Sequence, residues 1–476
     1  MLNPEDFKKE AGQVVEWIDR YLNNIHELPV KSSVAPGEVY SAIPEEAPLE
    51  SESMEQIMKD LDRFIVPGMT HWQHPGFHAY FPANSSVESI LAESLTSAMG
   101  AQCMIWETSP AAAELEQRMI EWLRDAMGIP SDFEGVIQDS ASSASLVSLI
   151  TAREVATGFR SNEEGVPPNL RIYCSTETHS SIEKGVVVCG IGRKNLVKVG
   201  VDQQMRMDPG ELELRIREDL EEGLNPCAVV AAIGTTGTVA VDPLEEIAEI
   251  CQKYDIWLHV DAAYAGTALL LPEQRWMIRG IEKADSFVFN PHKWMFTNFD
   301  CSVYLVRDAA LLIKTFEILP EYLKTKTRGA VNDYRDWGVP LGRRFRALKL
   351  WFVIRSYGME GIREKLRKHI QLNNKFSRAL IQMKDMHLPL EPFLNFTCFR
   401  LQPEGMEDHE ELNRLNEAFL EEVNRNGKLF LTHTKIGELF TLRIIIGQTY
   451  VEEQDVALAL TQIAAAADLA LKTFRD

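Results

Sequence analysis

The sequence predicts an α/β protein built on a mostly parallel sheet. First, short apolar, β-branched runs at 171–174, 228–233, 256–260 and 286–289 alternate with helical stretches, and a clear helix at 243–254 lies between two of them. Short buried strands alternating with helices are the mark of βαβ units. Second, three of these runs end on chemically unusual residues: Gly234-Thr235-Thr236, Asp261-Ala262-Ala263 and Asn290-Pro291-His292-Lys293. Parallel sheets hold their chemistry at the C-terminal ends of strands, so this clustering points to a site there. Third, 476 residues with 45% hydrophobic and 25% charged content match a folded globular chain long enough for two or three lobes.

In chain order, the first element is a helix whose Phe7, Ala11, Val14, Val15, Ile18, Leu22 and Ile25 recur at spacings of three and four, one apolar face. A Pro- and Ser-rich loop covers 28–49. Ser53 then precedes Gln56 at capping-box spacing, and a second short helix carries Ile57, Leu61 and Ile65 up to Pro67-Gly68. Two amphipathic helices joined by a loop bury their apolar faces poorly against each other. They are expected to cover a second subunit rather than this chain's own body. After the α/β middle, the C-terminal part reads as a smaller α+β unit: a helix at 407–426, a strand pair at 428–432 and 440–446, and an Ala- and Leu-rich helix from 451 to 474.

Composition excludes several classes. With 49 Lys+Arg against 70 Asp+Glu the net charge is −21, which disfavours nucleic acid and anionic membrane surfaces as partners. Seven scattered cysteines do not read as a disulfide framework and suit a reducing cytosol. The start, Met1-Leu2-Asn3-Pro4-Glu5-Asp6, lacks the basic-then-apolar order of a secretory leader, so a cytoplasmic location is expected. No uninterrupted apolar stretch approaches the ~20 residues of a bilayer span. Gly190-Ile191-Gly192 begins like a dinucleotide fingerprint, but Asn195 stands where the third glycine belongs. His26-Glu27 and His409-Glu410 lack a second histidine at helical spacing, and no metal site is expected. Neither a G-x-S-x-G elbow nor a phosphate loop ending in Lys-Ser/Thr occurs. Asn395-Phe396-Thr397 spells a glycosylation acceptor, discounted without a secretory route.

Four clusters carry chemistry. Lys293 ends a buried strand among Phe289, Trp294, Met295 and Phe296, where a charged amine is costly. Burial lowers an amine's pKa and frees its lone pair, as an imine-forming lysine requires. Alone, the pattern better suits a lysine snorkelling from a strand end. Asp261 follows the run 256–260; a carboxylate there pairs with a protonated heterocycle nitrogen, or simply caps a helix. Ala263 is small enough for a flat ring to lie close. The small residues Ser140-Ala141-Ser142-Ser143-Ala144-Ser145 lead into a helix, a place for a phosphate or an unliganded cap. His179 stands just beyond a strand among small polar residues, able to stack on a ring. Pyridoxal phosphate needs such a set, because its protonated ring is the sink for electrons released at the substrate's Cα.

In this order the clusters resemble group II pyridoxal-phosphate decarboxylases, close to the aromatic L-amino-acid decarboxylases. The likeness runs along the chain and is densest at His74-Pro75, 77–82, 106–122, 173–181, 256–267, 286–302 and 341–352. It implies a fold type I homodimer with a mostly parallel, seven-stranded-type sheet. Its parts would be an N-terminal helical dimerisation arm over 1–84, a large cofactor-binding α/β domain over 85–350 and a small C-terminal α+β domain over 351–476. It implies pyridoxal 5'-phosphate held covalently by Lys293, with Asp261 at the pyridine nitrogen, His179 stacked on the ring and Ala263 on the opposite face. Ser140, Ala141, Ser142, Asn290 and His292 resemble the phosphate-binding set, and Thr236 the threonine near the phenolic oxygen. Trp72, Tyr80, Phe81 and Pro82 resemble the substrate-side wall, and Tyr322 the loop tyrosine that returns a proton to Cα. The implied reaction is decarboxylation of tryptophan, hydroxytryptophan, dopa or tyrosine. Alternatives are an aromatic aldehyde synthase, in which oxygen takes part, and a silent binding protein of the same fold.

Departures concern the substrate. Dopa-preferring relatives carry threonine where this chain has Ala83, phenylalanine where it has Met104 and an aliphatic residue where it has Gln102. Tyrosine-preferring plant relatives carry serine where it has Gly342. Ala83, Met104 and Gln102 count against dopa, while the hydroxyls missing at Ala83 and Gly342 and the room at Gly342 favour an indole ring.

Overall fold

A computed structural model describes residues 4–318 and 331–475. Its larger sheet has seven strands: β1 (Glu134–Gln138), β2 (Leu170–Ser175), β3 (Leu196–Val199), β4 (Asn225–Ala232), β5 (Trp257–Asp261), β6 (Ser286–Phe289) and β7 (Ser302–Val306). They lie in the order β1-β7-β6-β5-β4-β2-β3. Only β7 is antiparallel to its neighbours, so the other six share one direction and one C-terminal edge. The central strands are buried along their length, as continuous apolar runs in a sheet covered on both faces must be. The four strands expected from the sequence are β2, β4, β5 and β6, each displaced by at most three residues at an end. β1, β3 and β7 have no counterpart among the expected strands: β1 holds only two large apolar residues, β3 is four residues long with a lysine inside it, and β7 follows the lysine turn too closely to suggest a reversal of direction.

A four-stranded antiparallel sheet, β10-β11-β9-β8, comes from β8 (Met386–His387), β9 (Phe396–Leu401), β10 (Thr432–Ile436) and β11 (Leu439–Ile445). The helices His409–Arg425 and Glu453–Arg475 pack on it through Leu415, Phe419, Val456 and Ile463. The strand expected at 428–432 begins later. Residues 428–431 turn instead to the segment before the large sheet, where Phe430 N–H donates to Gly76 O and His78 N–H to Phe430 O. Glu453–Phe474 is long and apolar enough to cross a membrane by length and composition. It is interrupted by Asp468, and Ala459, Ile463 and Ala470 are buried in the core. The helix Arg346–Leu380 links the two units, turning at Gly358, whose φ of 67° suits glycine; residue 350, the expected domain border, falls inside it.

The N-terminal helix Phe7–Asn24 has no buried side chain; Phe7 and Val15 are exposed. It is tethered to the chain by Trp17 and Arg20, which bond Asp62, and by Tyr21, which bonds His71. Ser53 caps the helix Met54–Asp60 by accepting from Gln56 N–H, half of the expected capping box. The loop expected at 28–49 contains a short helix, Glu38–Ala42. The helix Val87–Met99 leaves Val87, Leu91, Leu95 and Met99, spaced four apart, about half exposed.

Candidate active site

The shared strand direction gathers the sequence-predicted residues. Ser140 follows β1, His179 follows β2, Thr236 follows β4, Asp261 ends β5, and Asn290, His292 and Lys293 follow β6, all on the C-terminal edge. Hydrogen bonds stitch the two central strand ends together: Ala262 N–H donates to Val288 O, and Asn290 N–H to Ala263 O. Thr236 sits in a turn opened by Gly234, where φ is +88° and a Cβ would come within 2.6 Å of Ala265 Cβ; only glycine fits there.

Lys293 lies in the short helix Pro291–Trp294, with its Nζ 5.2 Å from the Phe81 ring centroid. Phe81 stacks on Tyr264 at 3.9 Å, and Tyr264 on Trp294 at 5.3 Å, an aromatic column behind the lysine. Burial brings the Lys293 amine down to about 8; Asp261 opposes this shift and Arg443 adds to it. The amine is therefore available as a nucleophile far closer to neutrality than an exposed lysine. Asp261 Oδ1 accepts from Ala263 N–H at 3.0 Å, and Oδ2 has no hydrogen-bond partner among the described residues. His179 Nδ1 accepts from Ser181 N–H at 3.2 Å and faces Ser181 Oγ at 2.8 Å, which leaves Nε2 to carry the ring's proton. Burial pushes the His179 pKa down, opposed by Asp261, so the ring is neutral.

At the β1 end, Ser140 caps the sixteen-residue helix Ala141–Ala156, its Oγ accepting from Ser143 N–H. The N–H groups of Ala141 and Ser142 point out of its first turn, as in any helix start. Asn290 Oδ1 accepts from Ser302 Oγ, so its amide N–H groups are left to donate. His292 Nδ1 accepts from Cys301 N–H, and burial together with the Lys293 charge holds the ring neutral with a pKa of about 3, leaving Nε2–H as a donor.

Of the predicted substrate wall, Phe81 adjoins Lys293, whereas Trp72 stacks on Tyr80 at 5.9 Å beside Phe77, and both Trp72 and Tyr80 are exposed. Pro82 is buried, and Ala83 O accepts from Gln73 Nε2. Met104 and Gly342 form a separate group: Arg335 N–H donates to Met104 O, Arg343 N–H to Gln102 Oε1, and Cys103 N–H to Arg343 O. No hydrogen bond or ring contact among the described residues joins this group to Lys293. Tyr322 lies outside the described residues.

Two residues went unrecognised in the sequence. Asn84 ties the lysine turn down, donating to Lys293 O at 2.7 Å and to Gly447 O at 2.8 Å. Arg443, on β11, is buried with its Cζ 5.0 Å from the Phe81 ring and 5.3 Å from Phe396, and donates to Tyr80 O. A charge inside the apolar strand run at 440–446 was the available signal, since a buried guanidinium is costly without a purpose. The discounted acceptor Asn395 is buried, with its amide bonded to Tyr264 and Ile446.

A seven-stranded, mostly parallel sheet with a buried lysine at a strand's C-terminal end defines a pyridoxal-phosphate-dependent enzyme of fold type I. The model of the pyridoxal-dependent decarboxylase conserved domain matches residues 36–402, and the chain belongs to that family. It is 39% identical to the aromatic-L-amino-acid decarboxylase of Manduca sexta, covering 97% of this chain and 92% of the relative. It is 40% identical to the phenylacetaldehyde synthase of Arabidopsis thaliana, over 96% and 94% of the two chains. A crystal structure of Oryza sativa TDC with PLP and tryptamine superposes with a TM-score of 0.95 at 33% identity, covering 98% and 99%. The cofactor is pyridoxal 5'-phosphate, and the residues here suit it. One edge supplies an amine lowered to about 8, a carboxylate with an uncommitted oxygen, and a helix start flanked by neutral donors.

Proposed function

We propose that the protein decarboxylates an aromatic L-amino acid to its arylalkylamine and CO2, with tryptophan or hydroxytryptophan handled at least as well as tyrosine. The observation that carries the reading is the Lys293 amine, lowered to about 8 beside Asp261 and the aromatic column of Phe81 and Tyr264. When bound, the cofactor supplies a sink for the electron pair released as the bond from Cα to the carboxylate breaks. Lys293 would hold the cofactor covalently and, as a free amine, would be placed to release product. Asp261 would hold a proton at the pyridine nitrogen. His179 would stack on one ring face with Ala263 on the other, and Thr236 would lie near the phenolic oxygen. Ser140, Ala141, Ser142, Asn290 and His292 would bind the phosphate. Trp72, Tyr80, Phe81, Pro82 and Ala83 exclude water around the aromatic side chain. Tyr322 is assigned the return of a proton to Cα by resemblance alone.

The working unit is proposed to be a homodimer. Its support is the unburied helix Phe7–Asn24 together with the exposed stripe Val87, Leu91, Leu95 and Met99, apolar surfaces that call for a partner. Met104 and Gly342 are assigned to the substrate pocket by resemblance. The division at residues 84 and 350 is retained as a proposal, as is a cytoplasmic setting, which seven buried free thiols suit.

Product analysis tests the reaction. The purified protein is incubated separately with tryptophan, tyrosine, dopa and phenylalanine, and amine, aldehyde and CO2 are measured. Amine formed in step with CO2 is expected; aldehyde and peroxide as main products would replace this reading with the aldehyde synthase alternative, favoured by the Arabidopsis relative.

A further inference from the structure

We infer that His259 is a positioning residue for the cofactor: its two ring nitrogens fasten the phosphate-cradling helix to the strand that carries Asp261, and so fix the separation between the cofactor's two ends. The inference rests on assigning those two ends to the Ala141–Ala156 helix and to Asp261.

His259 lies two residues before Asp261 on β5 and is fully buried. Residues two apart on a strand face the same way and lie ~7 Å apart. His259 Nε2 is 3.0 Å from Ser145 Oγ, and Nδ1 is 2.9 Å from Ser286 Oγ. Ser145 is one turn into the helix from Ala141 and Ser142, about 6 Å along the axis. Ser286 is the direct neighbour of His259 in the parallel register and begins the strand leading to Asn290 and Lys293. A second rung lies below the first: Ser286 Oγ is 2.8 Å from Ser148 Oγ, and Trp257 Nε1 donates to Ser148 Oγ at 3.0 Å. Trp257, His259 and Asp261 thus share one strand face, set against one face of the cradle helix.

The indole N–H can only donate. It reaches both Ser148 Oγ and, at 3.3 Å, Ser286 Oγ. A neutral imidazole has one N–H and one bare nitrogen, so in either tautomer His259 donates to one of Ser145 and Ser286 and accepts from the other. Burial holds the imidazole neutral, with a pKa of about 4, so at neutral pH it has one donor and one acceptor, and both are used. Apolar side chains would pack this helix onto the sheet equally well but would let it slide. A ladder of short, directional bonds fixes its register, and a cofactor gripped at both ends feels any error in that register.

The test uses the full chain with His259→Phe, His259→Gln and Ser145→Ala. Cofactor affinity is measured by visible absorbance on adding pyridoxal phosphate to cofactor-stripped protein. The stabilisation given by inorganic phosphate alone, which touches only the cradle, is measured by thermal unfolding. Losing two buried hydrogen bonds should weaken cofactor binding by about tenfold in His259→Phe and about threefold in Ser145→Ala. Phosphate stabilisation should be unchanged in both. The glutamine amide offers a donor and an acceptor, so His259→Gln should recover most of the affinity. Parental cofactor affinity in both His259→Phe and Ser145→Ala overturns the inference, as does an equal loss for phosphate and cofactor, which would reduce His259 to a prop for the helix. Asp261→Ala serves as reference: if it too binds normally, the assignment of the cofactor's ends is wrong and the inference falls with it.

Discussion

Replacing Arg443 by methionine should raise the pKa of Lys293 by about one unit while leaving the fold intact. Lys293 Nζ and Arg443 Cζ lie 5.2 and 5.0 Å from the same Phe81 ring centroid, so the two charges are at most about 10 Å apart. At an effective dielectric of ~20, two like charges at that distance repel by about 1.6 kcal/mol, or roughly 1.2 pKa units. The sign follows directly. Arg443 disfavours the ammonium form, so its removal favours that form and moves Lys293 from about 8 towards about 9. At pH 7.5 the neutral fraction of the amine should then fall about eightfold. Methionine fills the space between Phe81 and Phe396. The lost bond to Tyr80 O costs ~1.5–3 kcal/mol, offset by removing a buried cation with no carboxylate partner among the described residues. The assay is the rate at which a small amine-directed acylating reagent modifies Lys293 in cofactor-free protein, followed against pH by peptide mass spectrometry. Arg443→Lys, which keeps the charge, should resemble the parent. A midpoint for Arg443→Met at or below that of the parent would refute the electrostatic role.

Lys293→Ala should abolish turnover and the absorbance that borohydride removes, with the protein still folded; activity like that of the parent would sink the assignment of the site. Asp261→Asn should retain some cofactor but lose ~10²-fold or more in rate, because the ring nitrogen no longer keeps its proton; an unchanged rate across neutral pH would contradict this. Tyr322→Phe should divert product from amine to aldehyde, ammonia and peroxide with consumption of oxygen, and amine at the parental rate without aldehyde would remove Tyr322 as proton donor. Gly342→Ser should raise kcat/KM for tyrosine relative to tryptophan without unfolding, since the added Cβ meets only the Gln102 amide, at 3.1 Å. A parent that already prefers tyrosine clearly would count against the proposed indole preference.

The sequence by itself determined the sheet's central strands and the chemistry at their ends, because buried parallel strands are written as continuous apolar runs and any polar residue ending one stands out. Lys293, Asp261, His179 and the serine-rich helix start were legible for that reason. It also marked the N-terminal helix as needing a partner surface, and its exposed Phe7 and Val15 agree with that. Tertiary structure decided what depends on contacts remote in sequence. β1, β3 and β7 joined the sheet although β1 carries little apolar signal and β3 is only four residues long, because pairing with neighbours rather than local periodicity holds them. The stretch at 428–431 turned away from its expected strand partner to bond with residues 76–78. Asn84 reached Lys293 across 209 positions of chain, and Arg443 came to rest against Phe81 from the far end of the sequence. Within the strand motif 256–260, His259 looked like one more buried residue; its bonds to Ser145 and Ser286 emerged only when helix and sheet were packed together. Local patterns record which residues are buried, whereas the partners of buried polar groups are chosen by the packing of elements distant in the chain.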